Sequence, residues 1–177
     1  MNLKRSNSSA PQQQGWHPAW ITFLSSLWLT SAGNIALWSQ VHQLPEVSGL
    51  RGFAFAIGFG AIITAAISAI LSFLNWRWLL KPAIAVFFLS AASGAYFMMS
   101  YGIVIDSTMI TNVVQTDTKE ALDLMNWRML ISLALLGILP CWVLWKIPVK
   151  PLRLGQQIIG NTLTLAISLM VIFGALL

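Results

Sequence analysis

Apolar residues in this chain gather into five long runs separated by polar stretches. The runs extend from about Trp20 to Trp38, Phe53 to Leu74, Ala83 to Gly102, Trp127 to Trp145, and Ile158 to Leu177. Each is close to the roughly 20 helical residues that cross about 30 Å of hydrocarbon. Polar residues inside the runs show neither the alternation of a strand nor the wide polar face of a soluble helix. The pattern therefore predicts an all-α membrane protein, a bundle of five transmembrane helices occupying residues 16–177. What remains is too short for a soluble domain of ordinary size, which needs roughly 50 residues.

Composition strengthens that picture. Of the 177 residues 57% are hydrophobic and 8% charged, and the mean hydropathy is +0.75, whereas soluble domains carry about 25% charged residues. Residues 1–15, rich in Ser, Gln and Pro, read as a disordered tail. Small residues Ser31, Ala32 and Gly33 after Lys4 and Arg5 raise the question of a cleaved leader. The first run stays apolar beyond them, so an uncleaved span is expected. Pro140 should kink the fourth span. Small residues four apart, such as Ala54 and Gly58, Ala56 and Gly60, Ser90 and Gly94, Ala91 and Ala95, suit close helix packing. Asn34 and Asn161, polar within spans, are expected to hydrogen-bond between helices.

Charge sets the orientation. Lys4, Arg5, Arg77, Lys81, Lys146, Lys150 and Arg153 lie in the tail, the second loop and the fourth loop, with no acid among them. Arg51, Lys119 and Arg128 lie in or beside the first and third loops, with all five acids: Glu46, Asp106, Asp117, Glu120 and Asp123. Basic loops stay in the cytoplasm, so the N-terminus is expected inside, and after five crossings the C-terminus outside. The same placement explains the net charge of +5 without a nucleic-acid partner. Cys141, the single cysteine, reads as a small packing residue.

Recognisable chemistry is sparse. No span has Asp, Glu, Lys, Arg or His near its centre, which disfavours a proton-coupled transporter or ion channel. His17 and His42 fall on opposite faces of the membrane, so no metal site is expected in this chain. No G-x-S-x-G, G-x-G-x-x-G or G-K-[ST] motif occurs. No residue is assigned a catalytic role.

The stretch between the third and fourth spans, Tyr101 to Trp127, carries the most information. Asp106 and Ser107 suit the N-cap of a short helix over about 108–115. Asp117 and Glu120 resemble a capping box for a second, over about 118–125. Each has an apolar face, so both are expected to lie on the outer membrane surface. Asn112, Thr116 and Glu120 follow one another at four-residue spacing, and on a continuous helical path they form one polar strip. An amide, a hydroxyl and a carboxylate there suit an ammonium-bearing lipid headgroup. From spacing alone the ordinary alternative stands beside this, with Thr116 breaking a helix and Glu120 capping the next.

The motif Y-G-x-V-x-D-x-x-M-x-x-N-x-x-x-T-D-x-x-E, from Tyr101-Gly102 through Asn112 and Thr116-Asp117 to Glu120, resembles the membrane domain of lipid A phosphoethanolamine transferases. That family includes the mobile colistin-resistance enzymes. The specific match covers about residues 96–125; the Trp-rich start and the Leu80-Lys81-Pro82 turn extend it loosely along the chain. The resemblance implies a bacterial inner-membrane domain followed by a periplasmic catalytic domain that needs zinc. Such an enzyme moves phosphoethanolamine from phosphatidylethanolamine, through a threonine, to lipid A, which weakens polymyxin binding. It also implies that Asn112, Thr116 and Glu120 place the lipid substrate, and that the short surface helices are periplasmic. The catalytic domain is expected to be absent from this chain, so no cofactor is expected here and zinc belongs to the missing part. The implied role is membrane anchoring and donor-lipid positioning, with phosphatidylethanolamine, surrounding membrane lipids and, through the missing domain, lipid A as partners. A small non-enzymatic membrane scaffold or regulator is the alternative.

Overall fold

A computed structural model describes residues 15–45, 47, 49–102 and 126–176. Seven α-helices appear there: α1 (Pro18–Thr30), α2 (Ile35–Val41), α3 (Gly49–Phe73), α4 (Leu80–Tyr101), α5 (Trp127–Ser132), α6 (Leu139–Lys146) and α7 (Leu154–Leu176). A 3₁₀ turn, Ala32–Asn34, joins α1 to α2, and a π turn, Leu133–Ile138, joins α5 to α6. Four stretches are long and apolar enough to cross a membrane: Gly49–Phe73, Leu80–Ser100, Trp127–Lys146 and Leu154–Ala175. They match the expected second to fifth spans, starting a turn earlier in three of them.

The first span departs from expectation. It was read as one helix from Trp20 to Trp38, and the structure breaks it at Ser31, whose φ of −87° and ψ of −84° leave the helical region. Ser, Gly and Asn are weak helix formers whose side chains or flexibility favour other backbone paths. The freed carbonyls find side-chain donors: Trp38 Nε1 donates to Thr30 O at 2.6 Å and Asn34 Nδ2 to Leu29 O at 3.1 Å, while Ser31 Oγ adds a bond of 2.7 Å to Leu27 O, which already accepts the Ser31 N–H. Asn34 thus bonds within its own segment rather than between helices. The break also seats the chain on α4, because a Cβ at Gly33 would lie 3.3 Å from Ala91 Cβ.

Span four carries a second irregularity. Pro140 has no N–H to give Leu136 O, the acceptor one helical turn back. Trp28 Nε1 from α1 reaches that carbonyl at 3.4 Å instead. The helix passes through the π turn just before the proline, a known way of absorbing an inserted or missing bond. Trp28→Phe is expected to cost about 1–3 kcal/mol by stranding a carbonyl in an apolar setting, read as a lowered thermal midpoint in detergent against Trp28→His, whose ring retains a donor.

Ile21, Leu29, Leu71, Leu80, Ile84, Phe88 and Leu144 form the core where α1, α3, α4 and α6 meet. Cys141 packs against this cluster, as its size led one to expect. Helix α3 packs along both α1 and α7, and α4 along the fourth span. Of the small-residue pairs, Ala91 and Ala95 face neighbours, whereas Ala54 is exposed and a Cβ at Gly58 would meet nothing within 4 Å. Helix α4 stops where Gly102 takes φ +64°, with its N–H bonded to Met98 O, a left-handed cap that glycine accepts without steric cost.

One end of the bundle gathers basic residues. Trp16 and Lys150 bond through their backbones, Lys150 N to Trp16 O at 3.0 Å and Trp16 N to Pro148 O at 2.8 Å. Lys81 Nζ donates to Trp145 O at 3.2 Å and Ile147 O at 2.8 Å. A cation there satisfies carbonyls that a helix C-terminus leaves open. This end is called the basic face below.

Candidate lipid-positioning region

Asn112, Thr116 and Glu120 lie in 103–125, outside the described residues, and so do both short surface helices expected there. All five acids fall outside the described residues as well. What the structure does define is how the ends of this stretch are held. Asn126 caps α5, its Oδ1 accepting from Met129 N–H at 2.9 Å. Its Nδ2 donates to the hydroxyl of Tyr96, a residue 5% exposed on α4. Tyr96 in turn stands edge-on to Phe97, ring centroids 5.4 Å apart. One amide therefore starts the fourth span and ties it to the third, so 103–125 departs from and returns to one pair of helices. Sequence reading placed the span start at Trp127 but missed this tie; an Asn immediately before an apolar helix is the signal that marks the cap.

Polar side chains also run through the seam of α1, α3 and α7. Thr64 Oγ1 donates to Thr30 Oγ1 at 3.0 Å. At the basic face Asn75 Nδ2 donates to Asn161 Oδ1 at 3.0 Å, and Gln157 Nε2 donates to Asn75 O. Asn161 therefore bonds between helices, as its place in an apolar run led one to expect. Its partner lies two residues past the end of α3, close to where the helix leaves carbonyls open. Ser68 and Ser168, both 4% exposed, lie between these two levels.

Along this seam runs a groove of about 790 Å³. Trp20, Phe23 and Leu27 of α1 form one wall, with small residues of α3 such as Ala61 and Thr64 as its floor and Thr164 and Ser168 of α7 opposite. Its size falls in the range that accepts small molecules or lipid chains. Among the described residues no three His, Cys, Asp or Glu side chains come together to hold a metal ion. The groove is apolar, with hydroxyls of Thr64, Ser68, Thr164 and Ser168 within it and the imidazole of His17 among its lining residues.

Comparison with known proteins completes the picture. The profile of the family described as Phosphoethanolamine transferase EptA/EptB matches residues 63–177. Phosphoethanolamine transferase EptA of Escherichia coli strain K12 is 32% identical over 133 residues, 75% of this chain and 24% of that protein. Phosphatidylethanolamine transferase Mcr-2 of Escherichia coli is 30% identical over 149 residues, 84% of this chain and 27% of that protein. The chain thus spans about a quarter of the length of these relatives. The fold is similar to that of the integral membrane protein lipooligosaccharide phosphoethanolamine transferase A (EptA) from Neisseria meningitidis. There the TM-score is 0.77 at 18% identity, covering 88% of this chain and 29% of that one. With the profile covering the third, fourth and fifth spans and the stretch that bears Asn112, Thr116 and Glu120, this membrane protein belongs to the phosphoethanolamine transferase EptA/EptB family.

Proposed function

We propose that this chain is the membrane part of a phosphoethanolamine transferase, which anchors a catalytic unit and holds donor phosphatidylethanolamine for it at the outer face of the inner membrane. The observation that carries the reading is the family match across 63–177, which includes the acidic stretch between the third and fourth spans. Glu120 is the anion for the donor's ammonium group, and Asn112 and Thr116 serve its phosphate or ester oxygens. Two short helices in 103–125 carry these residues on the periplasmic surface. Lipid A is the acceptor, reached through a zinc-dependent catalytic domain, and its modification lowers polymyxin binding.

The proposed path crosses five times. The unit α1, 3₁₀ turn and α2, from Pro18 to Val41, has 24 residues and a length of roughly 35 Å at the helical rise, enough for the hydrocarbon core. Broken spans persist where side chains satisfy the open backbone groups, as Trp38 and Asn34 do here. The basic face is then cytoplasmic with the N-terminus, and the C-terminus is periplasmic. In a Cys141→Ser background, a membrane-impermeant thiol reagent is expected to label Thr118→Cys and spare Lys150→Cys in whole spheroplasts; the reverse pattern overturns the orientation.

Native mass spectrometry of the chain released from lipid tests the site. Wild type is expected to retain phosphatidylethanolamine, and Glu120→Ala and Asn112→Ala to lose it. Unchanged retention in both variants removes these residues from the site.

A further inference from the structure

Independently of the donor-lipid reading, we infer that the groove between α1, α3 and α7 is a binding site for an anionic phospholipid, its phosphate held by His17 at the basic face and its acyl chains running along the groove. His17 stands at the mouth of the groove. Its Nδ1 accepts the backbone N–H of Ala19 at 3.2 Å, so the neutral ring carries its proton on Nε2, the nitrogen left to donate outward. The ring lies over α7, with Cε1 3.7 Å from where a Cβ on Gly160 would stand. A hydrogen-bond donor thus sits where the groove opens between two helices, with an apolar channel of about 790 Å³ leading away from it.

Charge selects an anionic headgroup over a zwitterionic one. The backbone of Lys150 is bonded to Trp16, the residue before His17. Lys81 is fixed on the carbonyls of the loop that leads to it. Arg77 and Arg153 lie in the same two loops, which contain no acid, and Lys146 ends α6 with its ammonium 4.2 Å from the centre of the Trp142 ring. Basic residues close to a membrane surface attract anionic lipid.

Ser68 supplies an independent observation. It lines the groove, is 4% exposed, and its Oγ has no hydrogen-bond partner, whereas Thr64 one turn away donates to Thr30. A hydroxyl without a partner in an apolar setting is costly, and a lipid ester carbonyl in the groove gives it an acceptor. Ser68 lies five residues before the end of α3 at Phe73, and Asn75 just beyond is bonded to Asn161 beside Gly160; the helical rise and those two further residues put Ser68 on the order of 10 Å from the level of His17. A phosphate and an ester carbonyl of one lipid, with a hydrogen bond of about 2.8 Å at each end, cover such a span.

The test is native mass spectrometry of the whole chain taken from an equimolar mixture of phosphatidylglycerol and phosphatidylcholine. Wild type is expected to retain one phosphatidylglycerol in preference to phosphatidylcholine. His17→Asp keeps an oxygen to cap α1 but repels phosphate, and is expected to lower that retention about ten-fold, the effect of some 1.4 kcal/mol. His17→Asn keeps both the cap and a donor and is expected to stay within about two-fold of wild type. Ala61→Phe fills the groove floor with an apolar ring and is expected to expel the lipid while the headgroup end stays intact. Glu120→Ala is expected to leave phosphatidylglycerol untouched, so failure here and failure of the donor-lipid reading are read separately. Equal retention of the two lipids by wild type overturns the inference. So does wild-type retention in both His17→Asp and Ala61→Phe, or a second copy of the chain occupying the groove in place of lipid.

Discussion

Glu120→Ala is expected to lower affinity for phosphatidylethanolamine by about ten-fold or more, corresponding to at least 1.4 kcal/mol. A carboxylate facing a primary ammonium makes a charge-assisted hydrogen bond, roughly twice as strong as one between neutral groups. At the lipid headgroups the pair is only partly in water, so screening is weaker than on an open surface. Glu120→Gln separates charge from shape: it keeps the length and an acceptor oxygen, and loses the charge. Its expected loss lies between wild type and Glu120→Ala. Titration of the purified chain with short-chain phosphatidylethanolamine, followed by calorimetry, gives the three affinities. Asn112→Ala is expected to cost less, about 1 kcal/mol, the net value of a neutral hydrogen bond.

The largest expected effect on stability belongs to Gly137, inside the π turn. A Cβ there would stand 3.1 Å from Leu89 Cδ2, 3.3 Å from Ala92 Cβ and 3.5 Å from Leu89 Cα. At Gly137 the fourth span therefore packs against Leu89 and Ala92 of α4, and Ser132 Oγ bonds Ala92 O at 3.3 Å one turn earlier. Gly137→Ala meets two opposing terms. Helix propensity favours alanine by about 1 kcal/mol, while the Leu89 side chain has to move by a few tenths of an ångström, so the net change is small. Gly137→Leu has no such balance. Its branched side chain drives the spans apart, at about 1–3 kcal/mol or more, and it loosens the Trp28 bond to Leu136 O as well. A lowered thermal midpoint in detergent for Gly137→Leu, with Gly137→Ala near wild type, is the expected pattern.

How far the sequence carried differs from element to element. The second to fifth spans are legible because hydropathy alone specifies them; the starts of the second, third and fifth lie about a turn earlier because hydropathy does not set helix ends. Leu80, Lys81 and Pro82 read as a turn, yet they form the first turn of α4, where a proline's missing N–H does no harm. The break at Ser31 was not legible as a break. Its residues are small and apolar enough to pass as span, and what stabilises the break is tertiary: the indole of Trp38 and the seat of Gly33 on Ala91. Pro140 marked the disturbance in span four, but its remedy comes from Trp28, 108 residues away in sequence from Leu136, and no local pattern encodes that.

The site followed the same division. Asn161 could be read as an interhelical residue, while its partner Asn75 lies in the loop just past α3, and only the fold brings that loop beside α7. Spacing brought Asn112, Thr116 and Glu120 onto one face and left capping as a competing explanation; the motif around them is what pointed to lipid. Their stretch lies outside the described residues, and the structure adds only the Tyr96–Asn126 tie at its base. The groove and His17 were not legible, since they need three helices that are far apart in sequence.

Headgroup selectivity of the wild-type chain tests the donor-lipid role most directly. Phosphatidylethanolamine carries an ammonium with three N–H donors, and phosphatidylcholine carries the same charge with none, so only the first can hydrogen-bond a carboxylate. Native mass spectrometry from an equimolar mixture of the two lipids is expected to show preferential retention of phosphatidylethanolamine, and loss of that preference in Glu120→Ala. Equal retention of the two lipids by wild type contradicts a donor-lipid site in this membrane domain.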